Sequence, residues 1–215
     1  MVETAPTVFI VDDDVSVRES LELLIRKHGW HPETFNSAQE FLSRPRLLAP
    51  SCLVLDFSLP GLNGLELQKR VAVERPYLPI IFITGFGSIP MSVEAMKAGA
   101  VEFLTKPFTN ESLLGAIKGA LNRSRAKLEN EAQIQTLKEH YSALSVRERQ
   151  VMALLVSGML NKQVGDELGI TEITVKFHRG NLMRKMEADS FAGLVNMATR
   201  LRIKAPSTTK TPPGQ

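Results

Sequence analysis

The sequence predicts two folds in series: a doubly wound α/β domain on five parallel strands, then an all-α domain of four helices carrying a helix-turn-helix. Three observations carry that expectation. Short β-branched apolar runs alternate with amphipathic stretches up to about Leu121, whereas only helical patterns follow from Ser145. Four of the apolar runs lead directly into a chemically useful residue, Asp12, Asp56, Thr84 or Lys106. The charge also changes sign along the chain. Residues 1–120 hold 11 Lys and Arg against 14 Asp and Glu, while residues 121–215 hold 15 against 9. A basic second half points towards nucleic acid.

The elements follow in order. TVFIV (7–11) reads as a buried strand, as do SCLVLDF (51–57) and PIIFITG (79–85). VEFLTKP (101–107) is a shorter strand, and HPETF (31–35) a weaker one suited to an edge. Leu21, Leu24 and Ile25 recur at helical spacing behind a Ser16–Glu19 capping-box pair, with Asp14 a further candidate cap. Leu65, Leu67 and Val71 follow the turn Gly61–Gly64, and Met91, Val93 and Met96 precede the stop Gly99. Leu113, Leu114, Ile117 and Leu121 follow Asn110. Strand and helix alternating five times imply a parallel sheet covered on both faces. The segment 123–141, free of Gly and Pro, continues the fifth helix as a helical linker. Its Leu128, Ile134, Leu137 and Tyr141 are too irregular for a coiled coil. The expected organisation is a first domain over 1–122, the linker over 123–141, the helical domain over 142–204 and a disordered tail over 205–215.

Several classes are excluded. No apolar run approaches the ~18 residues of a membrane span, and the start MVETAPTVFIVDDD lacks the basic region of a secretory signal. The lone Cys52 builds neither a disulfide framework nor a cysteine metal site. A cytoplasmic protein without membrane contact is expected.

In a doubly wound sheet the carboxyl ends of the strands converge on the ligand crevice. Asp12, Asp13 and Asp14 follow the first strand, Asp56 ends the third, Thr84 the fourth, and Lys106 the fifth, before Pro107. Crowded carboxylates repel one another unless a cation sits among them, and Mg²⁺ is the natural filler. A carboxylate beside Mg²⁺, a lysine and a threonine hydroxyl is equipped for phosphoryl transfer, with the aspartate as nucleophile. Taken singly, the acids read as turn formers or caps and Lys106 as a surface lysine; the set of four does not. Other phosphate-handling folds fit poorly. There is no G-x-x-x-x-G-K-[ST] loop, the three consecutive acids do not suit a flavodoxin's phosphate, and a haloacid-dehalogenase phosphatase wants an acid where Ser58 stands.

In the second half, Ser145–Glu148 forms a capping box that opens a helix closed by Gly158. Asn161 is a candidate cap for a short helix ending at Gly169, and Thr171 for a third helix from Glu172 to about Met186. Two helices joined by Leu-Gly-Ile-Thr form a helix-turn-helix, with Gly165 small enough for a close crossing. On the third helix Val175, Leu182 and Met186 should be core, leaving a face of Lys176, Arg179, Asn181, Arg184 and Lys185. Lys and Arg supply phosphate affinity, and those near the helix start reach base edges. Phe177 is either core or an exposed contact for a thymine methyl, and the mid-helix Gly180 allows close approach to DNA. His178 reads as a packed structural histidine. A last helix from Phe191 to about Leu201 carries Leu194, Val195, Ala198 and Leu201 as an apolar stripe, either core closure or a contact between copies.

The stretches FIVDDD (9–14), LVLDFSLPGLNGLEL (53–67) and IIFITGFGSIPMSVEAMKAGAVEFLTKPF (80–108) closely resemble the receiver domain of two-component response regulators. That domain is flavodoxin-like in its sheet. The resemblance implies that Asp12 and Asp13 hold Mg²⁺ with Asp56 and the Ser58 backbone carbonyl, and that Asp56 is phosphorylated. It further implies that Thr84 and Lys106 bind the phosphoryl group, that Phe103 is an aromatic switch, and that the Lys106–Pro107 peptide is cis. Phe86 and Ser88 depart from the His and Asp common at these positions, which bears on phosphate lifetime and kinase specificity. Residues 142–204 resemble the LuxR-type helix-turn-helix domain through LSVRERQV, NKQVGDELGI and TVKFHRGNLMRKM. The family's recognition positions fall on Lys176, Phe177 and Gly180, beside Arg179 and Asn181, and its last helix often forms the dimer contact. The combination is similar to the FixJ-type response regulators. It implies a sensor histidine kinase as phosphodonor, dimerisation on phosphorylation, and binding to double-stranded promoter DNA, with RNA polymerase as a further partner. The chain is thus expected to be a transcription regulator rather than an enzyme. The alternative is a DNA-binding protein indifferent to phosphorylation, its receiver serving only as an interaction module.

Overall fold

The structure, a computed structural model, describes residues 5–85 and 88–203. Phe86 and the expected disordered tail lie outside them. The described residues form two compact units, divided after Asn130.

The first unit runs β1 (Thr7–Val11), α1 (Val15–Lys27), β2 (His31–Phe35), α2 (Ala38–Ser43), β3 (Ser51–Asp56), α3 (Gly64–Glu74), β4 (Ile80–Thr84), α4 (Ile89–Lys97), β5 (Glu102–Thr105) and the start of α5 (Asn110–Ser142). The five strands form one parallel sheet in the order β2-β1-β3-β4-β5, which puts the polar HPETF strand at an edge, as its composition predicts. β1, β3 and β4 are buried along their whole length because helices cover both faces. Alternation sends Phe9, Leu53, Leu55 and Phe82 to the face carrying α2 and α3. Val8, Ile10, Val54, Ile81 and Ile83 go to the face carrying α1 and α5.

One local reading is corrected, the Ser16–Glu19 capping box, and Asp14 is borne out in its place. The cap of α1 is Asp14, whose carboxylate accepts from the amides of Ser16 and Val17 at 2.8 and 3.4 Å. The Ser16–Glu19 pair lies inside the first turn instead, because the chain enters the helix directly from the β1 loop. Helix α2, capped by Ser37, has six residues, too few to show a period. It is held from outside its own sequence: the buried Arg75 guanidinium donates to the carbonyls of Phe41, Leu42 and Arg44 and lies over the Phe41 ring. Helix α5 is continuous through the segment expected as a helical linker.

The second unit contains the end of α5 followed by α6 (Val146–Val156), α7 (Asn161–Leu168), α8 (Glu172–Lys185) and α9 (Phe191–Arg200). Its core joins Val151, Leu155, Val164, Val175, Leu182, Met186, Leu194 and Ala198. The capping box closes as expected, with Ser145 Oγ accepting from the Glu148 amide and the Glu148 carboxylate from the Ser145 amide. At α7 the cap position is Leu160, not Asn161, and the Gln163 side chain takes up the Leu160 amide at 2.8 Å. Asn161 is already helical.

The turn between α7 and α8 depends on two glycines. Gly169 sits at φ 64°, the left-handed conformation that ends α7. Gly165 is required for a different approach from the one its place in a helix suggests. A Cβ there would lie 2.7 Å from the carbonyl oxygen of Ile170, which is backbone of the turn. Gly165→Ala should therefore destabilise this unit by about 1–3 kcal/mol, since the turn cannot yield as a side chain would. Amide hydrogen exchange in α6 and α8 measures it; unchanged protection would show that the turn relaxes freely.

Candidate acidic pocket and nucleic-acid interface

The parallel register brings the carboxyl ends of β1, β3, β4 and β5 to one edge of the sheet, pairing Val11 with Leu55, Asp56 with Ile83, and Thr84 with Thr105. The residues that follow are thereby gathered whatever their distance in sequence. The Lys106 ammonium sits between two carboxylates, 2.8 Å from Asp12 Oδ2 and 2.9 Å from Asp56 Oδ1. Asp12 is fully buried and Asp56 nearly so. Their other oxygens are occupied by backbone: the Asp14 amide donates to Asp12 Oδ1 at 2.9 Å, and the Ser58 amide to Asp56 Oδ2 at 2.7 Å.

Burial pushes the Asp12 carboxyl above its ordinary value, and the Lys106 and Asp14 hydrogen bonds offset only part of that. For Lys106 burial acts the other way, yet the hydrogen bonds to Asp12 and Asp56 prevail and hold the ammonium above the usual lysine value. The pocket thus keeps its cation at any physiological pH.

Thr84 is buried at the end of β4, and its carbonyl accepts from the Lys106 amide at 2.7 Å. The Lys106–Pro107 peptide is cis, as the resemblance implies. Phe103 is half-buried, its ring 6.0 Å from Phe57 and 6.2 Å from Phe82. Asp13 and Ser58 are exposed at the mouth, and Ser88 caps α4 by accepting from the Met91 amide. Among the described residues no three His, Cys, Asp or Glu side chains form a group able to hold an ion by themselves. Two carboxylates converging on one cation nevertheless suit Mg²⁺, which keeps part of its hydration shell and so needs few protein ligands.

Two contributors carry no clear signal in the sequence. The Arg18 guanidinium donates to the Asp12 carbonyl at 2.6 Å and pins the β1 end. At Gly64, opening α3, a Cβ would lie 2.9 Å from Phe82 Cε1 and within 3.2 Å of the backbone at Asp56 and Phe57. The turn signal at Gly61–Gly64 is visible; the closeness of Gly64 to the Asp56 backbone is not.

On α8, Lys176, Phe177, Gly180 and Arg184 are exposed on one face and Asn181 is half-buried beside them. Phe177 is 66% exposed, so it is not core. His178 is half-buried with its ring edge-on to Phe177. The Lys176 ammonium pairs with Glu172 at 2.9 Å and Arg184 donates to Asn181 Oδ1 at 3.1 Å, both exposed contacts readily exchanged. Arg179 lies to one side, over the Phe191 ring and 3.4 Å from Asn161 Oδ1. Lys185 is the correction. It leaves the outer face altogether and pairs with the buried Glu148 at 2.7 Å, because its place on the helix turns it towards α6. One exposed residue of the face went unread: Ile173, a helical turn before Phe177. In α9, Leu194 and Ala198 are buried, so core closure accounts for that part of the stripe.

The fold and pocket define the class, an acidic receiver domain in one chain with a helix-turn-helix. The response regulator receiver domain family matches residues 8–118, and the luxR family of bacterial regulatory proteins matches 142–198. Nodulation protein W of Bradyrhizobium diazoefficiens is 48% identical over 97% of this chain and 92% of its own length. Transcriptional regulatory protein FixJ of the same organism is 39% identical, over 90% and 94% respectively. The solved response regulator StyR is 46% identical and superposes with a TM-score of 0.80, covering 92% of this chain and all of that one. The chain belongs to the two-component response regulators that join a receiver domain to a LuxR-type DNA-binding domain. No helix among the described residues is long and apolar enough to cross a membrane.

The Glu148–Lys185 pair has a pH consequence. Burial raises the Glu148 carboxyl, but the hydrogen bonds from Lys185 and Ser145 outweigh it and hold the group below the ordinary value of 4.5. A depressed carboxylate adds stability above its unfolded value and loses it as the pH falls through the folded one. The protection of α6 amides, taken relative to the intrinsic exchange rate at each pH, should therefore fall below about pH 4.5. Glu148→Gln, which keeps the cap acceptor but cannot ionise, should flatten that dependence.

Proposed function

We propose that Asp56 accepts a phosphoryl group from a sensor histidine kinase and that the phosphorylated chain binds promoter DNA as a dimer to activate transcription. The single observation that carries this reading is the Lys106 ammonium shared by Asp12 and Asp56 at the carboxyl end of the sheet. The division of labour follows the expected segments, a receiver over 1–122, a linker over 123–141 and a DNA-binding domain over 142–204.

An Asp56 oxygen forms a bond to phosphorus as the donor's nitrogen–phosphorus bond breaks. Asp12, Asp13, Asp56 and the Ser58 carbonyl would hold Mg²⁺, which when bound offsets the negative charge of the phosphoryl oxygens. Lys106 keeps one hydrogen bond to Asp12 while turning its remaining N–H donors to a phosphoryl oxygen. Thr84 turns its hydroxyl to another. That shift vacates space beside β4, which Phe103 fills from its place against Phe57 and Phe82. The exchange biases two arrangements of the α4–β5 surface, where Ile89, Val93 and Met96 are exposed apolar residues suited to pairing with a second copy. Two copies of α8 would then enter successive major grooves, with half-sites about one helical turn, ~10 bp, apart. Lys176, Phe177, Gly180, Asn181 and Arg184 face the DNA with Arg179 at the flank, and RNA polymerase is recruited beside them.

Asp56→Asn should abolish phosphate uptake from acetyl phosphate with Mg²⁺, read by intact mass. Only the wild-type protein should then gain dimer mass by light scattering. A phosphorylated Asn variant would sink the assignment, and an unphosphorylatable wild type would leave the receiver as an interaction module.

Lys176→Ala and Arg184→Ala form a matched pair, since each removes one positive charge from α8. Lys176 stands where side chains meet base edges, so its loss should cost about 1–3 kcal/mol and relax preference at one position. Arg184 lies two turns on, at phosphate, and its loss should weaken all sequences alike and lower the salt slope by about one. Identical consensus sequences and identical slopes would mean that α8 does not read DNA.

A further inference from the structure

We propose that Ile173 is a specificity-determining residue of the DNA-binding surface, burying its side chain against a thymine 5-methyl group beside Phe177. The proposal rests on the reading above that α8 enters the major groove.

Ile173 is the second residue of α8 and is 79% exposed; Phe177, four residues on, is 66% exposed. Side chains four apart share a helix face, and these stand about 6 Å apart along the axis. The fold has no use for either. The opposite side of α8 already supplies Val175, Leu182 and Met186, all fully buried, to the core. A single exposed apolar side chain needs no explanation, but two large ones one turn apart leave a continuous apolar strip in water. Lys176 stands beside the strip and Arg184 about two turns beyond it on the same face, both exposed cations, with Gly180 between, where even an added Cβ would meet nothing within 4 Å. An apolar strip flanked by cations is complementary to a polyanion that presents an apolar group.

Duplex DNA does so at one place only, the C5-methyl of thymine at the edge of the major groove. The position on the helix agrees, because the first residues of a recognition helix are those that reach base edges. Thr171 and Thr174 cannot compete for that edge readily, since their hydroxyls bond one another at 2.8 Å and Thr171 also caps the helix. An axial separation of about 6 Å against ~3.4 Å per base step places the two thymines one or two steps apart.

The test uses the full-length phosphorylated protein and the duplex it enriches from a random pool. Each thymine of one half-site is replaced singly by deoxyuridine, which removes the methyl and leaves the pairing intact. Wild type should lose about fourfold in affinity at each of two thymines one or two steps apart, the worth of one buried methyl. Ile173→Ala should lose that sensitivity at one of them and keep it at the other, Phe177→Ala should do the reverse, and Ile173→Val should behave as wild type. Circular dichroism of each variant should match wild type, because both side chains are exposed. An Ile173→Ala profile identical to wild type, or a selected half-site without thymine, overturns the proposal and leaves the strip to a protein surface. If Lys176→Ala still relaxes the consensus in that case, only the role of Ile173 fails. If no duplex is enriched at all, the DNA reading of α8 fails with it.

Discussion

One ammonium shared by two carboxylates is the constraint on which the receiver's carboxyl edge depends. Asp12 and Asp56 end adjacent strands, and a parallel ladder in register leaves no freedom to move one carboxylate away from the other. Both are buried, so water cannot screen them. The Lys106 ammonium is therefore structural before it is chemical, and its hydrogen bonds to the two acids hold it above the usual lysine value against the opposing effect of burial. The same need makes the pocket responsive. Any group that changes the charge on Asp56 redistributes a cation that three strand ends share, and the residues packed behind them must follow.

What lies behind is a sheet with no polar side to absorb a change. β1, β3 and β4 are buried on both faces, and the ring trio Phe57, Phe82 and Phe103 joins β4 and β5 to the loop after Asp56. Close-packed interiors switch between arrangements more readily than they deform by degrees. Phe82 is fully buried, whereas Phe57 and Phe103 are half-buried, and of these two Phe103 lies on the edge strand β5, where a ring can turn without displacing a central strand. Gly64 tightens the same corner, since any side chain there would strike Phe82 and the Asp56 backbone. The pocket and the aromatic corner are two sides of one turn of chain.

The legibility of this arrangement in the sequence follows from its physics. Asp12, Asp56, Thr84 and Lys106 could be read because strand ends in a parallel sheet must converge, so four separate local signals specify one place. Arg18 and Gly64 could not, since their roles rest on contacts that no period encodes. The α2 helix escaped for a related reason: it is too short to carry its own pattern and is held by Arg75 from thirty-odd residues away. Caps were legible where the box is reciprocal, as at Ser145 and Glu148, and misread at Ser16 and Asn161. There the polar residue sits one or two places inside the helix, and another group takes the cap.

Helix α8 shows the same limit at finer scale, because it serves three neighbours at once. Val175, Leu182 and Met186 face the core, Lys185 and Arg179 lean against α6 and α9, and only the remaining arc faces outward. Charge alone does not sort these, since Lys176, Arg179, Arg184 and Lys185 look alike in sequence. Burial of the partner does. Lys185 meets a carboxylate with almost no access to water and so cannot leave it cheaply, whereas the Lys176–Glu172 pair is exposed and gives way to a phosphate or a base at little cost. The cations that hold the helix in place are thus distinct from those free to engage DNA, and the outward arc keeps its apolar pair, Ile173 and Phe177, because no part of the fold draws them in.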